Sequence, residues 1–389
     1  MRMLVRIMVL IGFIGVTLTG CSSAETDVRV GAERASEYLP LLSGKRVALV
    51  VNQTSRVGEQ HLVDYLLEQD VEVVKVLAPE HGFRGDAGAG ETINDALDPR
   101  TGLPILSIYG KTKKPSAEML ADVDTIIFDI QDVGARFYTY ISTMHYVMEA
   151  AAEQGIAMLV LDRPNPNGAY VDGPVLDPAF QSFVGMHEIP LLHGMTVGEL
   201  AQMIKGEDWI NAADDLELIV VPVADYERTQ PYVLPVAPSP NLPNAQAIQL
   251  YPSLCLFEAT AVSIGRGTDF PFQVMGHDEV HLGEFKFSPR SMPNSAPSPK
   301  LEGQTVYGKD LRESDLHGLD LGLFIAAYQK FDAAGVTFFT APDFMDKLSG
   351  TDTLRKAIIA GQSEAEIRDS WQADLAAFKK RRQPYLLYP

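Results

Sequence analysis

Val47-Ala-Leu-Val-Val-Asn-Gln-Thr-Ser55 decides the fold. Five apolar residues in a row, three of them β-branched and none alternating with a polar neighbour, suit a strand buried on both faces, and such strands belong to parallel sheets covered by helices. Outward from it, further short runs rich in aliphatic residues recur at Val71–Leu77, Ile105–Tyr109, Thr125–Asp129 and Ala157–Asp162, with a sixth at Leu218–Pro222. Amphipathic stretches separate them at 61–69, 116–121 and 138–154, the last carrying Ile141, Met144, Val147, Met148 and Ala151 at helical spacing. Strands that alternate with helices in this way predict an α/β, Rossmann-like, mainly parallel sheet in which the first five strands take the order 3-2-1-4-5.

Beyond that sheet the pattern changes. Thr196 and Glu199 form a capping box ahead of Leu200–Ile204, and a proline-rich segment at 232–243 reads as an interdomain crossing. The remainder predicts strands at Ala259–Ile264 and His281–Phe287, a Ser/Pro-rich loop at 288–299, and helices at Leu323–Ala334, Thr353–Ala360 and Glu364–Arg381, the last opened by Ser363 and Glu366. The expected organisation is a Rossmann-like domain over 44–231, the crossing, and a smaller α+β domain over 244–389.

The N-terminus reads as an address. Arg2 and Arg6 precede the apolar run Ile7–Val16, which is too short to span a bilayer comfortably and suits a signal peptide. It ends in Leu18-Thr19-Gly20-Cys21, similar to the bacterial lipobox, so residues 1–20 would be removed, Cys21 would carry the lipid, and residues 21–43 would form a tether and lead-in. The expected location is an exported, membrane-anchored lipoprotein facing the periplasm or cell exterior. With Cys21 lipidated, Cys255 is the one thiol left and reads as a small core residue.

Composition fits a folded protein, with 46% hydrophobic and 21% charged residues. The net charge of −19 opposes a phosphate backbone, which excludes nucleic acid as a partner. The dinucleotide fingerprint would need G-x-G-x-x-G directly after Val51, where Asn-Gln-Thr-Ser stands instead, and no G-x-S-x-G elbow or H-E-x-x-H zinc motif occurs. No cofactor and no metal are expected. His81, Asp129, Asp132 and Asp162 leave a metal-dependent hydrolase as a further reading, open to test by chelation.

In open α/β sheets the ligand sits outside the carboxyl ends of the strands. Here those ends are polar: Asn52 after strand one, Glu80, His81 and Arg84 after strand two, Asp129, Gln131, Asp132 and Arg136 after strand four, and Asp162, Arg163 and Asn165 after strand five. Glu80, fixed by Pro79, suits a general acid or base. Asp129 and Asp132 read either as a second acidic pole or as residues bonding loop amides. Tyr138 and Tyr140 read either as platforms for a sugar ring or as the buried start of a helix. Glu80 and Asp129 would leave strands two apart, so their backbones start roughly 10 Å apart at ~4.8 Å per strand.

These loops carry Pro79-Glu-His-Gly-Phe-Arg-Gly85, Phe128-Asp-Ile-Gln-Asp-Val-Gly-Ala-Arg-Phe-Tyr-Thr-Tyr140, Leu161-Asp-Arg-Pro-Asn-Pro166, His193-Gly-Met-Thr196 and Gly265-Arg-Gly-Thr268. Together they resemble the NamZ-type exo-β-N-acetylmuramidases, over about 44–389. The resemblance implies removal of β-1,4-linked N-acetylmuramic acid (MurNAc) from the non-reducing end of peptidoglycan fragments, in a cleft between a Rossmann-like domain and a smaller one. It implies Glu80 as the catalytic carboxylate, with Asp129 and Asp132 carried over as cleft residues, and muropeptides or MurNAc-GlcNAc disaccharides as substrates. Because MurNAc bears a lactyl carboxylate, one of Arg84, Arg136, Arg163 and Arg266 is expected to form a bidentate pair with it. A lipid-anchored two-domain binding protein that holds a cell-wall fragment or another solute without turnover is the alternative.

Overall fold

The computed structural model of the protein describes residues 28–80, 82–83 and 95–389. Cys21, His81 and Arg84 lie outside the described residues. The large sheet contains six parallel strands: β1 Arg46–Val51, β2 Glu72–Ala78, β3 Pro104–Ser107, β4 Thr125–Asp129, β5 Ala157–Leu161 and β6 Leu218–Val221. Their order is β6-β5-β4-β1-β2-β3, with a two-residue strand, Ala96–Leu97, antiparallel on the β3 edge. The expected order therefore holds, and strand progression reverses between β1 and β4, the place where such sheets open a crevice.

Each strand feeds both faces through its period of two. Val47, Leu49 and Val51 join Ile127, Leu159 and Leu161 in one apolar cluster, under helix α1 (Leu62–Glu68). Ala48 and Val50 join Ile126, Phe128, Met158 and Val160 in the other, under α2 (Tyr140–Gln154) and α3 (Val197–Gly206). Each fully buried aliphatic side chain contributes about 1.5–3 kcal/mol, so the two-sided burial of β1 fixes its register firmly. The capping box opens α3 as expected: Glu199 N donates to Thr196 Oγ1 at 3.3 Å, and Thr196 N donates to Glu199 Oε2 at 2.9 Å.

The segment at 232–243 crosses the carboxyl edge of the sheet, where Gln53 Nε2 donates to the carbonyls of Ala237 and Pro238 and Tyr138 Oη donates to Pro238 O. Beyond it come α4 (Ala245–Leu254), a 3-10 turn at Cys255–Ala259, and a three-stranded antiparallel sheet of β7 (Val274–His277), β8 (Phe285–Phe287) and β9 (Val306–Asp310) in the order β7-β9-β8. Helices α5 (Gly322–Ala334), α6 (Pro342–Ser349), α7 (Thr353–Ile359), α8 (Glu364–Ser370) and α9 (Gln372–Arg381) complete it. One apolar cluster runs from Ala48 and Phe128 through Phe257, Phe324 and Phe331, so this part packs directly onto the helical layer of the large sheet. The last residues return to that sheet, where Tyr388 Oη donates to Asp162 Oδ2 at 2.5 Å.

Two expectations are corrected, and two strands are added to those expected. The strand expected at Ala259–Ile264 is a 3-10 turn followed by single bridges at Thr260 and Ser263. Strands β7 and β9 lack the β-branched signature because their ladder pairs Gly276 with Gly308, where a Cβ on Gly308 would lie 1.7 Å from Met275 O. The long helix expected over 364–381 breaks at buried Trp371, which ends α8 and starts α9.

Candidate active site

Strand β2 delivers Glu80 into a cavity of about 320 Å³ between the sheet edge and the second half of the chain. Gly82 N donates to Pro79 O at 3.0 Å, closing the turn that presents it. Both carboxylate oxygens accept hydroxyl hydrogens: Tyr109 Oη donates to Oε1 at 2.9 Å and Thr139 Oγ1 to Oε2 at 2.7 Å. Tyr140 Oη donates to the Glu80 carbonyl at 3.3 Å. Two side chains from the segments after β3 and β4 thus hold the carboxylate and a third holds its backbone, and burial, aided by the Glu80 charge, pushes the Tyr109 hydroxyl well above the usual phenol range.

The far wall is aromatic and charged. Tyr138, Tyr251 and Phe272 pack edge to face, with ring centroids 5.8 Å and 5.1 Å apart, and give the cavity an apolar floor with polar tips. Arg266 Nε donates to Glu258 Oε1 at 2.5 Å, and its guanidinium lies 5.0 Å from the Phe272 ring centroid. Burial opposes the Arg266 charge, but the Glu258 carboxylate outweighs it and raises the pKa. Among the described residues, the two terminal nitrogens of Arg266 make no hydrogen bond, so this edge of a planar fork remains open to a carboxylate. Cys255, read from the sequence as a core residue, is buried and also lines this cavity.

Family models described as Exo-beta-N-acetylmuramidase NamZ match the chain twice, the N-terminal model over residues 47–246 and the C-terminal model over 249–388. The chain belongs to the NamZ family. It is 39% identical over 377 residues to the peptidoglycan beta-N-acetylmuramidase NamZ of Bacillus subtilis, covering 90% of this chain and 89% of that one. Two crystal structures of DUF1343 family proteins from Bacteroides fragilis share the fold. One is 45% identical with a TM-score of 0.84, covering 93% of this chain and 99% of its own. The other is 30% identical with a TM-score of 0.81, covering 94% and 100%.

Within this NamZ-family chain the residues expected at the site divide sharply. Glu80, Tyr138, Tyr140 and Arg266 line one cavity. The remaining described residues, Asn52, Asp129, Gln131, Asp132, Arg136, Asp162, Arg163 and Asn165, are buried and do not line it. Asp129 is fully buried and paired with Arg163, whose Nε and Nη2 donate to it at 2.5 and 2.8 Å. Burial opposes the Arg163 charge and the Asp129 carboxylate more than restores it. Arg136 is also fully buried, donating to the carbonyls of Pro174, Ile189 and Leu348, so it bolts the end of α6 to the large domain and reaches no lactyl group. Burial alone pulls its pKa down to about 9.

Asp132 is sealed as well. Its Oδ2 accepts Gly134 N at 2.6 Å and lies 3.9 Å from His193 Nε2, while Oδ1 has no partner among the described residues. Burial raises Asp132 to about 7 and lowers His193 to about 3. Asp162 accepts from Thr196 Oγ1, Gly198 N and Tyr388 Oη, which makes it a buried joint between β5, α3 and the C-terminus. Gln131 and Asn165 are likewise buried and bond backbone carbonyls, and buried Asn52 folds its Oδ1 onto Thr54.

Sequence reasoning missed Tyr109, Thr139 and Glu258. Thr139 and Tyr109 each stand beside residues that were read, Tyr109 at the end of the third strand run and Thr139 between the two tyrosines. For Glu258 the signal was its place eight residues before Arg266, at the end of a buried apolar helix.

Proposed function

We propose that the protein is an exo-acting glycoside hydrolase that removes β-1,4-linked MurNAc from the non-reducing end of peptidoglycan fragments. The observation that carries this is Glu80, held on both oxygens by Tyr109 and Thr139 in a cavity whose opposite wall offers an open arginine fork. Similarity to the muramidase of Bacillus subtilis supports the same reading. Glycoside hydrolysis needs an acid at the leaving oxygen, and Glu80 fills that role. As the bond from C1 to the glycosidic oxygen breaks, its electron pair stays on that oxygen, which takes the Glu80 proton. Water then supplies a hydroxyl to C1 and a proton that restores Glu80. Arg266 receives the lactyl carboxylate bidentately and so distinguishes MurNAc from N-acetylglucosamine.

The protein acts as an exported lipoprotein. Cleavage before Cys21 and acylation of that residue would hold the catalytic region beside the wall, and the lipobox-like Leu18-Thr19-Gly20-Cys21 supports this.

Incubation of the purified protein with MurNAc-β-1,4-GlcNAc, with and without a chelator, tests the activity. Free MurNAc is expected from the unmodified protein in both conditions. Glu80→Gln is expected to release it at least about a hundredfold more slowly, the usual effect of losing a general acid. Disaccharide that binds without turnover by the unmodified protein would instead make it a binding protein.

A further inference from the structure

Asp129 and Asp132 are sealed away from the cavity, so a second carboxylate facing the substrate would come from elsewhere. Among the described residues that line the cavity, Glu80 and Glu258 are the two acids. We propose that Glu258 is the anion that faces the anomeric carbon while Glu80 serves the leaving oxygen. This rests on the muramidase reading above.

The local structure is built to hold Glu258 still. It sits in the 3-10 turn that follows α4, and Lys300 Nζ donates to the carbonyls of Phe257, Glu258 and Thr260 at 2.9, 2.8 and 2.7 Å, fixing the backbone on both sides of it. Arg266 Nε then holds Oε1 at 2.5 Å, and Phe272 beneath the guanidinium limits where that arginine can go. Oε2 makes no hydrogen bond among the described residues. The side chain is 20% exposed, whereas that of Asp129 is 0% exposed. A carboxylate fixed at one oxygen and open at the other, in the same cavity as the acid, meets the needs of an oxocarbenium-like transition state. The positive charge that grows on C1 and the ring oxygen as the leaving oxygen takes the Glu80 proton has an anion beside it that needs no reorganisation. Glu80 comes from the large sheet and Glu258 from the second half of the chain, so the reaction would take place where the two halves meet.

A competing role for Glu258 is to position Arg266 and nothing more, and kinetics separate the two. With MurNAc-β-1,4-GlcNAc as substrate, Glu258→Gln is expected to lower kcat about a hundredfold or more with KM within about threefold of the unmodified protein. Arg266→Met is expected to act mainly through KM. Formate or azide added to Glu258→Ala should restore turnover by placing a small anion in the vacated space. Binding of free MurNAc by the Glu258→Gln protein, measured by calorimetry, shows whether its cleft is intact. A kcat loss below tenfold, or failure of both anions to rescue Glu258→Ala, would overturn the proposal. Absence of MurNAc release by the unmodified protein would overturn the muramidase reading itself.

Discussion

Two arginine–carboxylate pairs stand close to the carboxyl edge of the sheet and do opposite work. Arg163 and Asp129 meet through two hydrogen bonds, with side chains 4% and 0% exposed. Arg266 and Glu258 meet through one, with side chains 28% and 20% exposed. The first pair has spent its geometry on itself and on its neighbours, since Arg163 Nη2 also donates to Arg56 O. The second keeps an open nitrogen edge and an open oxygen facing a cavity. The difference teaches that charge at a strand end identifies a site only when some of its hydrogen-bonding capacity is left for a ligand.

The largest effect should come from breaking the sealed pair. Arg163→Met leaves Asp129 buried without its partner, which typically costs about 3–5 kcal/mol. A large fall in melting temperature is expected, whereas Arg266→Met should melt within a few degrees of the unmodified protein because its pair is partly solvated. Equal losses from the two would erase the contrast. Function should respond the other way: Arg266→Met is expected to reduce the preference for MurNAc-terminated over GlcNAc-terminated disaccharide by about ten- to hundredfold, the range for a lost charge-assisted hydrogen bond. Competition between the two substrates reads that ratio directly.

A smaller effect concerns pH. Burial holds Asp132 at about 7 in the folded protein, well above an ordinary aspartate, so the folded state binds the extra proton between about pH 4 and 7. The stability that Asp132 contributes is present below that window and is lost as pH rises through it. His193, held down to about 3, runs the other way below its ordinary value. Asp132→Asn isolates the first effect. Its stability relative to the unmodified protein should improve by about 1–3 kcal/mol between pH 4 and pH 8, measured by denaturant titration. A difference that does not move with pH would show that Asp132 is ionised throughout.

The sequence made the scaffold legible because its signals are local. Apolar runs marked all six parallel strands of the large sheet, and the capping boxes at Thr196 and Ser363 marked two helix starts, since periodicity and caps act within one element. The site was half legible. Glu80 stood out because Pro79 and the following glycine loop set it apart. Arg136 and Arg163 misled because an arginine after a strand looks the same whether its guanidinium meets carbonyls, a buried aspartate or a substrate. That choice depends on Pro174, Ile189 and Leu348, the last 212 residues away from Arg136. Glu258 was hidden for the matching reason: its partners Arg266 and Lys300 reach it only once the second half of the chain has folded. Strands β7 and β9 were missed because close ladder contact at Gly276 and Gly308 demands the residue that strand propensity disfavours.

The most direct test is a crystal structure of the Glu80→Gln protein with intact MurNAc-β-1,4-GlcNAc. The disaccharide should lie in the cavity with its glycosidic oxygen against residue 80, its lactyl carboxylate on the terminal nitrogens of Arg266, and C1 facing Glu258, while the Arg163 and Asp129 pair is unchanged. A disaccharide bound outside this cavity, or one whose lactyl group points away from Arg266, would contradict the account.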